Sequence, residues 1–395
     1  MTLCKSNNWR VCYQRPIEYE IINAPGLFEP DNPTLLQPGR LQGSRRFVVV
    51  DSNVARFHGE KIRAYFDHYH IQAKIIPFPA GEENKTIDTY LGILYELDSF
   101  PIHRRDEPII AIGGGVLTDV TAFIASTYRR SVPHIKVPTT LMGYVDASVG
   151  IKTGINFNGH KNRLGSFEPP LRVCLDRAFL KTLPRRHILN GVCEIIKLAV
   201  IKDPHLFDLL ELFGPESIAA NFQDDPGGEI LDRAISGMLE ELEPNLYEEN
   251  LARKVDFGHT FSYGLETRHE AHLLHGEAVL LDILASSMIA LGRRLLSEGE
   301  AERIFSLVHR LGIHLNLNLL DPDLMWENLL ERVIHRNGQQ RVPMPDGIGR
   351  CVFLNDITRE EIAIAIERLT QYSIFDNSNI EYRVSRIESR ISNLE

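Results

Sequence analysis

A short apolar strand that ends in three glycines is the feature that most constrains how this chain can fold. Residues 107–115 read EPIIAIGGG, and the helical pattern VLTDVTAFIASTYRR follows directly. Because glycine has no Cβ atom, backbone N–H groups at such a turn can approach a phosphate at the positive end of the helix. A tight turn without a ligand explains an isolated glycine triplet equally well, and the run is not the GxGxxG fingerprint of the common dinucleotide fold.

The first half of the chain alternates apolar strand patterns with amphipathic helical patterns, which predicts a parallel sheet covered by helices. We predict strands at residues 45–53, 73–79 and 107–115. We predict helices directly after the glycine turn and at residues 54–70 and 86–97.

Beyond residue 184 the pattern changes to long helices, at residues 191–201, 229–243, 275–294 and 301–312. A chain of 395 residues exceeds the size at which one hydrophobic core usually keeps growing. We therefore predict an α/β nucleotide-binding domain at residues 1–183 and a mostly α-helical domain at residues 184–395. The polar segment 372–395 is interpreted as a tail or a terminal helix.

The charge and the cysteines indicate where such a protein works. A formal net charge of −10 argues against a nucleic-acid-binding surface, which needs clustered lysines and arginines. The five scattered cysteines form no CxxC pair, as is typical of reduced cytoplasmic thiols. No signal-peptide pattern is visible, and the apolar run 279–292 contains Asp282 and is shorter than the ~20 residues of a membrane span. We expect a cytoplasmic protein that binds neither nucleic acid nor membrane.

The densest polar stretch of the apolar half lies at residues 137–162 and includes Asp146, Lys152, Lys161 and Asn162. Its lysines stand among Gly, Val and Ile residues, and burying an ammonium group is costly unless an anion accompanies it. A phosphate is the natural anion. The alternative is that these lysines extend to solvent from an edge strand.

A candidate metal site involves residues that are far apart in the chain. Glu194 and Lys197 are three residues apart on an apolar helix, and a helical ion pair by itself is the simpler explanation. Downstream, His259 and His275 add two potential ligands, and Glu with two His suits a catalytic zinc ion. Two further histidines at helical spacing from His275 are rival ligands, which we interpret as exposed helix residues: His269 and His272.

Taken in order, these segments resemble the dehydroquinate synthase superfamily of sugar-phosphate cyclases over residues 45–360. Several ordered motifs are more specific than any one of them. The motifs are PxGExxK at residues 79–85, GGGVLTDV at 113–120, VPTTLMGYVDASVGIKTGIN at 137–156, KNRLGSF at 161–167, FLKTLP at 179–184, NGVCEIIKLAVI at 190–201, GHTFS at 258–262 and HGEAV at 275–279.

The resemblance implies an N-terminal α/β domain that binds NAD, a helical C-terminal domain that holds Zn²⁺ or Co²⁺, and an active site between them. It implies NAD contacts from Asp51, Asn53, Glu82, Lys85, Gly114, Gly115, Val116, Asp119, Thr139, Thr140, Lys152, Lys161, Phe179 and Thr182. It implies Glu194, His259 and His275 as metal ligands. It implies substrate contacts from Asp146, Lys152, Asn162, Lys197 and Asp256. It also implies that Arg130 reaches the active site of a neighbouring subunit in a homodimer.

Differences from dehydroquinate synthase narrow the range of possible substrates. That enzyme binds a carboxylate with a lysine and an arginine whose positions fall here at Met238 and Ala252, although Arg253 lies one residue away. An unpaired buried carboxylate is costly, so we expect a substrate without one. Asp256 stands where that enzyme has Asn, and Tyr263 where it has a second His. An acidic Asp256 would repel a carboxylate and accept hydrogen bonds from hydroxyl groups.

Further segments resemble the valiolone-type synthases, which act on sedoheptulose 7-phosphate: MLEELEPNLYE, VDFGHTFS, GHKNRLGSFEPP and RVPMPDGIG. This implies transient oxidation by NAD, elimination of phosphate, re-reduction and aldol closure to 2-epi-5-epi-valiolone. The alternatives are synthesis of 2-epi-valiolone or desmethyl-4-deoxygadusol, 3-dehydroquinate synthesis, a metal-dependent polyol dehydrogenase, and a non-catalytic binding protein.

Overall fold

The computed structural model describes residues 8–36, 45–267 and 273–376, and a six-stranded parallel sheet organises its N-terminal half. The strands lie in the order β1-β8-β5-β4-β2-β3. Their bounds are β1 Glu20–Asn23, β2 Arg45–Asp51, β3 Gln72–Phe78, β4 Ile109–Gly113, β5 His134–Pro138 and β8 Arg172–Leu175. The helices of this half are α1 Ser52–His68, α2 Ile87–Asp98 and α3 Gly115–Thr127.

The central strands are apolar on both sides because helices cover both faces of the sheet. In β2 and β4, Val48 and Ile110 face a cluster that includes Tyr65 of α1. On the opposite face, Phe47 and Ile109 pack in a cluster with residues of α2 and α3. Continuous apolar runs are what a parallel sheet buried on both faces requires.

An antiparallel hairpin leaves the sheet before β8 and carries much of the predicted polar site. It consists of β6 Lys152–Phe157 and β7 His160–Phe167. Ile155 anchors the hairpin in the core beside α3, whereas most residues of β7 are exposed. The hairpin therefore presents its polar side chains above the N-terminal end of α3.

The C-terminal half is mainly helical and surrounds a second, larger core. Its helices are α4 Arg185–Ile201, α5 Pro204–Ala219, α6 Asp225–Leu242, α7 Ser262–Thr267, α8 His275–Gly292, α9 Glu298–Arg310, α10 Pro322–His335 and α11 Arg359–Asp376. A two-stranded antiparallel sheet pairs β9 Val342–Pro345 with β10 Cys351–Leu354. Helices α4 and α8 lie at the centre, with most residues of both helices buried.

Helix α8 matches a membrane span in length and apolar composition, at 18 residues and a mean hydropathy of 1.3. However, 78% of it is buried inside the fold, as expected for a central core helix. Asp282 in its middle is fully buried and accepts hydrogen bonds from backbone N–H groups. The helix is therefore explained by packing.

The predicted fold class, a parallel α/β half followed by a helical half, is confirmed. The predicted strands and helices occur with boundaries shifted by a few residues, and the helices of the second half begin at Arg185. The division into domains at residue 184 stays a prediction. His269, His272 and residues 377–395 of the predicted tail lie outside the described residues, while residues 372–376 belong to α11.

The two halves meet where α4 approaches the chain segment that follows β5. Leu141 and Val145 of that segment belong to the same hydrophobic cluster as α4. A Cβ atom placed on Gly191 would lie 2.6 Å from the Leu141 Cβ and 2.7 Å from the Met142 backbone nitrogen. Glycine at this position lets the backbones of the two halves pack directly.

Gly191→Ala is expected to lower the free energy of unfolding by about 1–3 kcal/mol, because the added methyl group overfills a packed core. Gly92→Ala is the matched control, since Gly92 lies in α2 with no atom within 4 Å of the added Cβ. It should raise stability by about 0.5–1 kcal/mol. Urea unfolding followed by circular dichroism measures both variants. Unchanged stability of Gly191→Ala would contradict the close packing.

Candidate active site

The candidate site lies at the carboxyl ends of β2, β4 and β5, the edge where open α/β sheets bind ligands. The glycine turn begins α3 there, with Gly114 at the N-cap and Gly115 and Val116 in the first turn. A Cβ atom on Gly114 would lie 3.0 Å from Thr140, and one on Gly115 would lie 2.9 Å from Ala147. Packing alone therefore requires small residues at this turn, whether or not a phosphate binds there.

Glu194, His259 and His275 converge although they lie on α4, on the loop before α7 and at the start of α8. Their ligand atoms all lie within 4.8 Å of one another. His275 Nε2 is 3.3 Å and His259 Nε2 is 3.7 Å from Glu194 Oε1. Donor atoms around a tetrahedral ion with bonds of about 2.1 Å stand about 3.4 Å apart, so one zinc ion fits. The fully buried Oε1 atom accepts no well-aligned hydrogen bond.

Both histidines are oriented through their second ring nitrogen. His259 Nδ1 lies 3.1 Å from the backbone oxygen of Phe257, and His275 Nδ1 lies 3.0 Å from Glu266 Oε1. Carbonyl and carboxylate partners of this kind fix the tautomer of metal-binding histidines and leave Nε2 free for the ion. Glu266 was not among the predicted site residues.

The loop that carries His259 is held from α8. The Asp282 carboxylate accepts hydrogen bonds from the backbone nitrogens of Phe261 and Ser262, at 2.5 and 3.0 Å. Burial raises the pKa of Asp282 to about 6, even though these hydrogen bonds favour the ionised form. Gly258, with φ of +78°, provides the sharp bend before His259. The position of this metal-ligand candidate therefore depends on a carboxylate in the next long helix.

Burial and neighbouring charges set the charge states of the cluster. Burial would raise the pKa of Glu194, but Lys197, His259 and His275 hold it well below its usual range. Burial lowers the pKa of His259 to about 4. For His275 burial acts in the same direction, but Glu266 and Glu194 outweigh it and raise the pKa to about 10. An ionised carboxylate and a neutral His259 are the forms that bind a divalent cation, whereas His275 must release a proton to do so.

The ion pair between Glu194 and Lys197, which is the simpler explanation for these two residues on one helix, is present in the structure. Lys197 Nζ lies 2.5 Å from Glu194 Oε2, and the lysine side chain is almost completely buried. Burial would lower the pKa of Lys197, but Glu194 and Asp146 raise it. One carboxylate oxygen thus pairs with the lysine while the other faces the histidines, so the ion pair and the metal site are compatible.

Several residues predicted to contact NAD come together below the hairpin. Lys85 is buried, and its Nζ lies 2.7 Å from Asp119 Oδ2 and 2.5 Å from Asn162 Oδ1. Glu82 accepts a hydrogen bond from Asn156 at 2.8 Å. Burial would lower the pKa of Lys85, but Asp119 and Glu82 raise it. Asn162, predicted for the substrate phosphate, therefore shares a cluster with predicted NAD residues.

The other predicted NAD residues surround the carboxyl ends of the strands. The Asp51 carboxylate caps α1 by accepting from the backbone nitrogens of Asn53 and Val54. The Thr139 backbone nitrogen donates to the Gly113 oxygen at 2.9 Å. Phe179 is buried under α1, and Thr182 Oγ1 lies 3.3 Å from His58 Nε2. These residues lie on one edge of the sheet, whereas their contact with NAD stays a prediction.

Lys152 differs from its predicted environment. The sequence argument favoured an apolar setting for this ammonium group, yet 58% of the side chain is exposed, as in the alternative of a lysine that extends to solvent. Its Nζ lies 2.5 Å from Glu248 Oε1, and Arg253 Nη1 lies 2.7 Å from the same oxygen. The hairpin thus extends the lysine into solvent beside a carboxylate of the helical half.

The Asp256 carboxylate has more charged partners than the sequence suggested. Arg253 Nη1 lies 3.1 Å from its Oδ1, and Arg336 Nη2 lies 3.3 Å from its Oδ2. Burial would raise the pKa of Asp256, but Arg253, Lys152 and Arg336 lower it. Two arginines therefore lie beside Asp256, and one of them, Arg253, directly follows Ala252 in the chain. Both are engaged by carboxylates.

The helical half also holds the tip of the hairpin. The Tyr263 hydroxyl accepts a hydrogen bond from the Lys161 backbone nitrogen at 3.1 Å, and Lys161 Nζ pairs with Glu266 Oε2 at 2.6 Å. Because Glu266 also contacts His275, a chain of polar contacts joins the hairpin to the metal-ligand candidate. Tyr263 thus provides a contact between the two halves where dehydroquinate synthase has a second histidine.

Arg130 lies away from this cluster. It is exposed, in a turn where Arg129, Arg130 and Ser131 all have positive φ. This turn follows the C-terminal end of α3, whereas the glycine turn is at the other end. A helix of 13 residues is about 20 Å long, so Arg130 is remote from the glycine turn of its own chain.

The residues that sequence reasoning missed are mostly partners of predicted ones: Glu248, Glu266, Asp282 and Arg336. Asp282 had a signal, since a carboxylate in the middle of an apolar helix needs hydrogen-bond donors. Arg336 had none, because it lies 80 positions from Asp256 and meets it only through folding.

Comparison with known proteins identifies the family. Residues 75–190 match the family described as 3-dehydroquinate synthase N-terminal, and residues 191–335 match 3-dehydroquinate synthase C-terminal. A 2-epi-5-epi-valiolone synthase from Streptomyces albus is 47% identical over 372 residues, covering 91% of this chain and 90% of that protein. A demethyl-4-deoxygadusol synthase from Trichormus variabilis is 39% identical, covering 92% and 90%.

A solved structure extends the likeness to the whole fold. The 2-epi-5-epi-valiolone synthase ValA from Streptomyces hygroscopicus subsp. jinggangensis, solved with NAD⁺ and Zn²⁺ bound, superposes with a TM-score of 0.88. It is 41% identical, and the match covers 92% of this chain and 100% of that one. The chain therefore belongs to the 3-dehydroquinate synthase family.

Proposed function

We propose that this protein is a sugar-phosphate cyclase that converts sedoheptulose 7-phosphate to 2-epi-5-epi-valiolone and phosphate, using NAD and a divalent metal ion, Zn²⁺ or Co²⁺. The observation that carries the proposal is the buried Glu194 carboxylate facing two oriented histidines beside a hairpin rich in cations. Relatives that carry the name 2-epi-5-epi-valiolone synthase, among them one that is 47% identical, support the product.

The cofactor assignments rest on the donor groups and on a relative. Glu194, His259 and His275 would hold the metal ion, and their ligand atoms lie within 4.8 Å of one another, close enough to share one ion. The predicted NAD residues lie at the carboxyl edge of the sheet and around the buried Lys85. The relative ValA was solved with both NAD⁺ and Zn²⁺.

The reaction needs no net oxidant. When bound, NAD supplies a reversible hydride acceptor for one ring hydroxyl, and the metal ion supplies a Lewis acid for that oxygen. The resulting ketone acidifies the neighbouring C–H bond, and the C–O bond to phosphate breaks by β-elimination. After the hydride returns, the opened ring forms an enol that attacks the C2 ketone and forms the new C–C bond.

The chain itself would stabilise the charge that develops on phosphate. Lys152, Asn162 and Lys197, with Arg130 of a neighbouring subunit, are the groups assigned to this anion. Burial would lower the pKa of Lys197, but Glu194 and then Asp146 raise it and so keep this lysine charged. Departing phosphate can accept the C–H proton, so a separate general base is not required.

The arginines near Asp256 favour a substrate with a neutral end. Arg253 and Arg336 each face a carboxylate oxygen of Asp256, and Arg253 also pairs with Glu248. A substrate carboxylate bound by both guanidinium groups would have to displace Asp256. The hydroxymethyl ketone of sedoheptulose 7-phosphate needs only hydrogen bonds.

A homodimer is part of the proposal because Arg130 is remote from its own glycine turn. The side chain is exposed and can therefore reach a second subunit. The proposed location is the cytoplasm, which the free Cys12, Cys174, Cys193 and Cys351 support. Neither a nucleic-acid partner nor a membrane partner is proposed.

Purified protein with NAD, Zn²⁺ and sedoheptulose 7-phosphate should release one phosphate per substrate consumed without sustained absorbance at 340 nm, because hydride is returned in each cycle. Mass spectrometry and NMR should identify 2-epi-5-epi-valiolone. Accumulating NADH would indicate a polyol dehydrogenase and contradict the proposal. Turnover of the keto-acid substrate of dehydroquinate synthase would contradict the substrate assignment.

The second candidate is desmethyl-4-deoxygadusol synthesis, favoured by the relative that is 39% identical. It uses the same sugar phosphate but includes a further elimination. The NMR spectrum of the product separates the two reactions.

Glu194→Gln should abolish retention of zinc, because the neutral amide removes the only negatively charged ligand among the three candidates. Metal content after gel filtration, measured by mass spectrometry, is the readout, and phosphate release should fall in parallel. Glu107→Gln is the matched control, since Glu107 is equally buried but pairs with Arg45 far from the site. It should retain zinc. Full zinc content in Glu194→Gln would remove the metal-site assignment.

A further inference from the structure

We propose that Glu248 is the exchangeable counter-ion of a phosphate subsite formed by Lys152 and Arg253. The carboxylate occupies this subsite before the substrate binds and is displaced by the substrate phosphate. This inference rests on the proposed function for the identity of the phosphate ester, and it adds Arg253 and Glu248 to the groups that handle it.

A single carboxylate oxygen lies between two cations that come from different halves of the protein. Lys152 Nζ lies 2.5 Å and Arg253 Nη1 lies 2.7 Å from Glu248 Oε1. The Oε1 atom makes these two ion pairs but accepts no well-aligned hydrogen bond. Close pairing of one anionic oxygen with a lysine and an arginine is also the arrangement by which proteins bind a phosphate oxygen.

The backbone conformation of the loop around Glu248 holds this residue in place. Glu248 has φ of +58°, a conformation that is uncommon for residues other than glycine and asparagine. Its backbone nitrogen donates to the Asn245 oxygen at 2.9 Å. The Asn245 side chain also bridges the backbone of Asn250, donating at 2.7 Å and accepting at 3.0 Å. A loop fixed by its own hydrogen bonds holds the glutamate in an uncommon backbone conformation, as occurs at functional sites.

Displacement of Glu248 is easiest on the side of Lys152, which lies at the edge of the protein, whereas the Arg253 and Glu248 side chains are 10% and 22% exposed. The Lys152 side chain is 58% exposed, and exposed ion pairs contribute little to stability. Arg253 stays in place when Glu248 leaves, because Asp256 Oδ1 also holds it at 3.1 Å. A phosphate dianion carries more charge than a carboxylate and therefore competes effectively for both cations.

The exchange between Glu248 and phosphate would assist both substrate binding and product release. Before binding, Glu248 keeps Lys152 and Arg253 in position without leaving their charges unpaired. After elimination, the same carboxylate can return to the two cations and assist the departure of inorganic phosphate. Glu248 is thus a positioning residue for the cations that would contact phosphate.

Glu248→Gln in the enzyme loaded with NAD and metal should bind inorganic phosphate about three- to tenfold more tightly than wild type, because the competing negative charge is removed. Isothermal titration calorimetry with inorganic phosphate measures this without turnover. The KM for sedoheptulose 7-phosphate should fall in the same direction, and kcat should fall because phosphate leaves more slowly.

Glu249→Gln is the matched control, since Glu249 is the exposed next residue, and its phosphate affinity should equal that of wild type. Equal or weaker phosphate binding in Glu248→Gln overturns the proposal. A lower KM without tighter binding of inorganic phosphate also overturns it, because the effect would then lie at the sugar. If Glu248→Gln does not fold, Glu248→Ala is measured in the same way and should also bind phosphate more tightly.

The same experiment separates this inference from the proposed function. Tighter phosphate binding by Glu248→Gln in a protein that does not turn over sedoheptulose 7-phosphate supports the subsite and discards only the substrate. Turnover of sedoheptulose 7-phosphate with unchanged phosphate affinity keeps the function and discards the role of Glu248.

Discussion

The rest of this site depends on how neighbouring groups compensate the negative charge of one buried carboxylate, Glu194. An isolated ion at the centre of a helical core would cost several kcal/mol. Here Lys197 pairs with one oxygen, and His259 and His275 face the other. Both histidines are fixed by further contacts, with the backbone oxygen of Phe257 and with Glu266. A divalent ion bound by the carboxylate and the two histidines would complete this compensation, which explains why polar groups lie inside an otherwise apolar helix.

A series of polar contacts connects the Glu194 cluster with the contact between the two halves of the chain. His275 is oriented by Glu266, and Glu266 also binds Lys161 of the hairpin. The hairpin carries Lys152 as well, which meets Glu248 and stands beside the cluster of Arg253, Asp256 and Arg336. The hairpin therefore links the metal-ligand candidates to Lys152, one of the cations assigned to phosphate, and the cations around it each have a carboxylate partner. Arg130 lies apart from these contacts.

The sequence predicted the architecture well because the relevant patterns are local. Continuous apolar strands, the glycine turn and the long helices each follow from a few consecutive residues. The metal-ligand candidates were predicted through family resemblance, since spacing cannot show that Glu194, His259 and His275 converge. The arginine pair around Asp256 was not predicted. Comparison of positions found cations missing at Met238 and Ala252, whereas Arg336 reaches the site from a helix end 80 positions from Asp256. The apolar neighbours of Lys152 favoured a buried lysine over one that extends to solvent, yet Lys152 lies at a hairpin base that opens to solvent.

The most direct test of the account is anomalous diffraction at the zinc absorption edge from crystals of the zinc-loaded protein. The account predicts one strong peak within about 2.0–2.2 Å of Glu194 Oε1, His259 Nε2 and His275 Nε2, the bond lengths that zinc makes with oxygen and nitrogen. A peak at another cluster of side chains, or a zinc ion bound without Glu194, would contradict it.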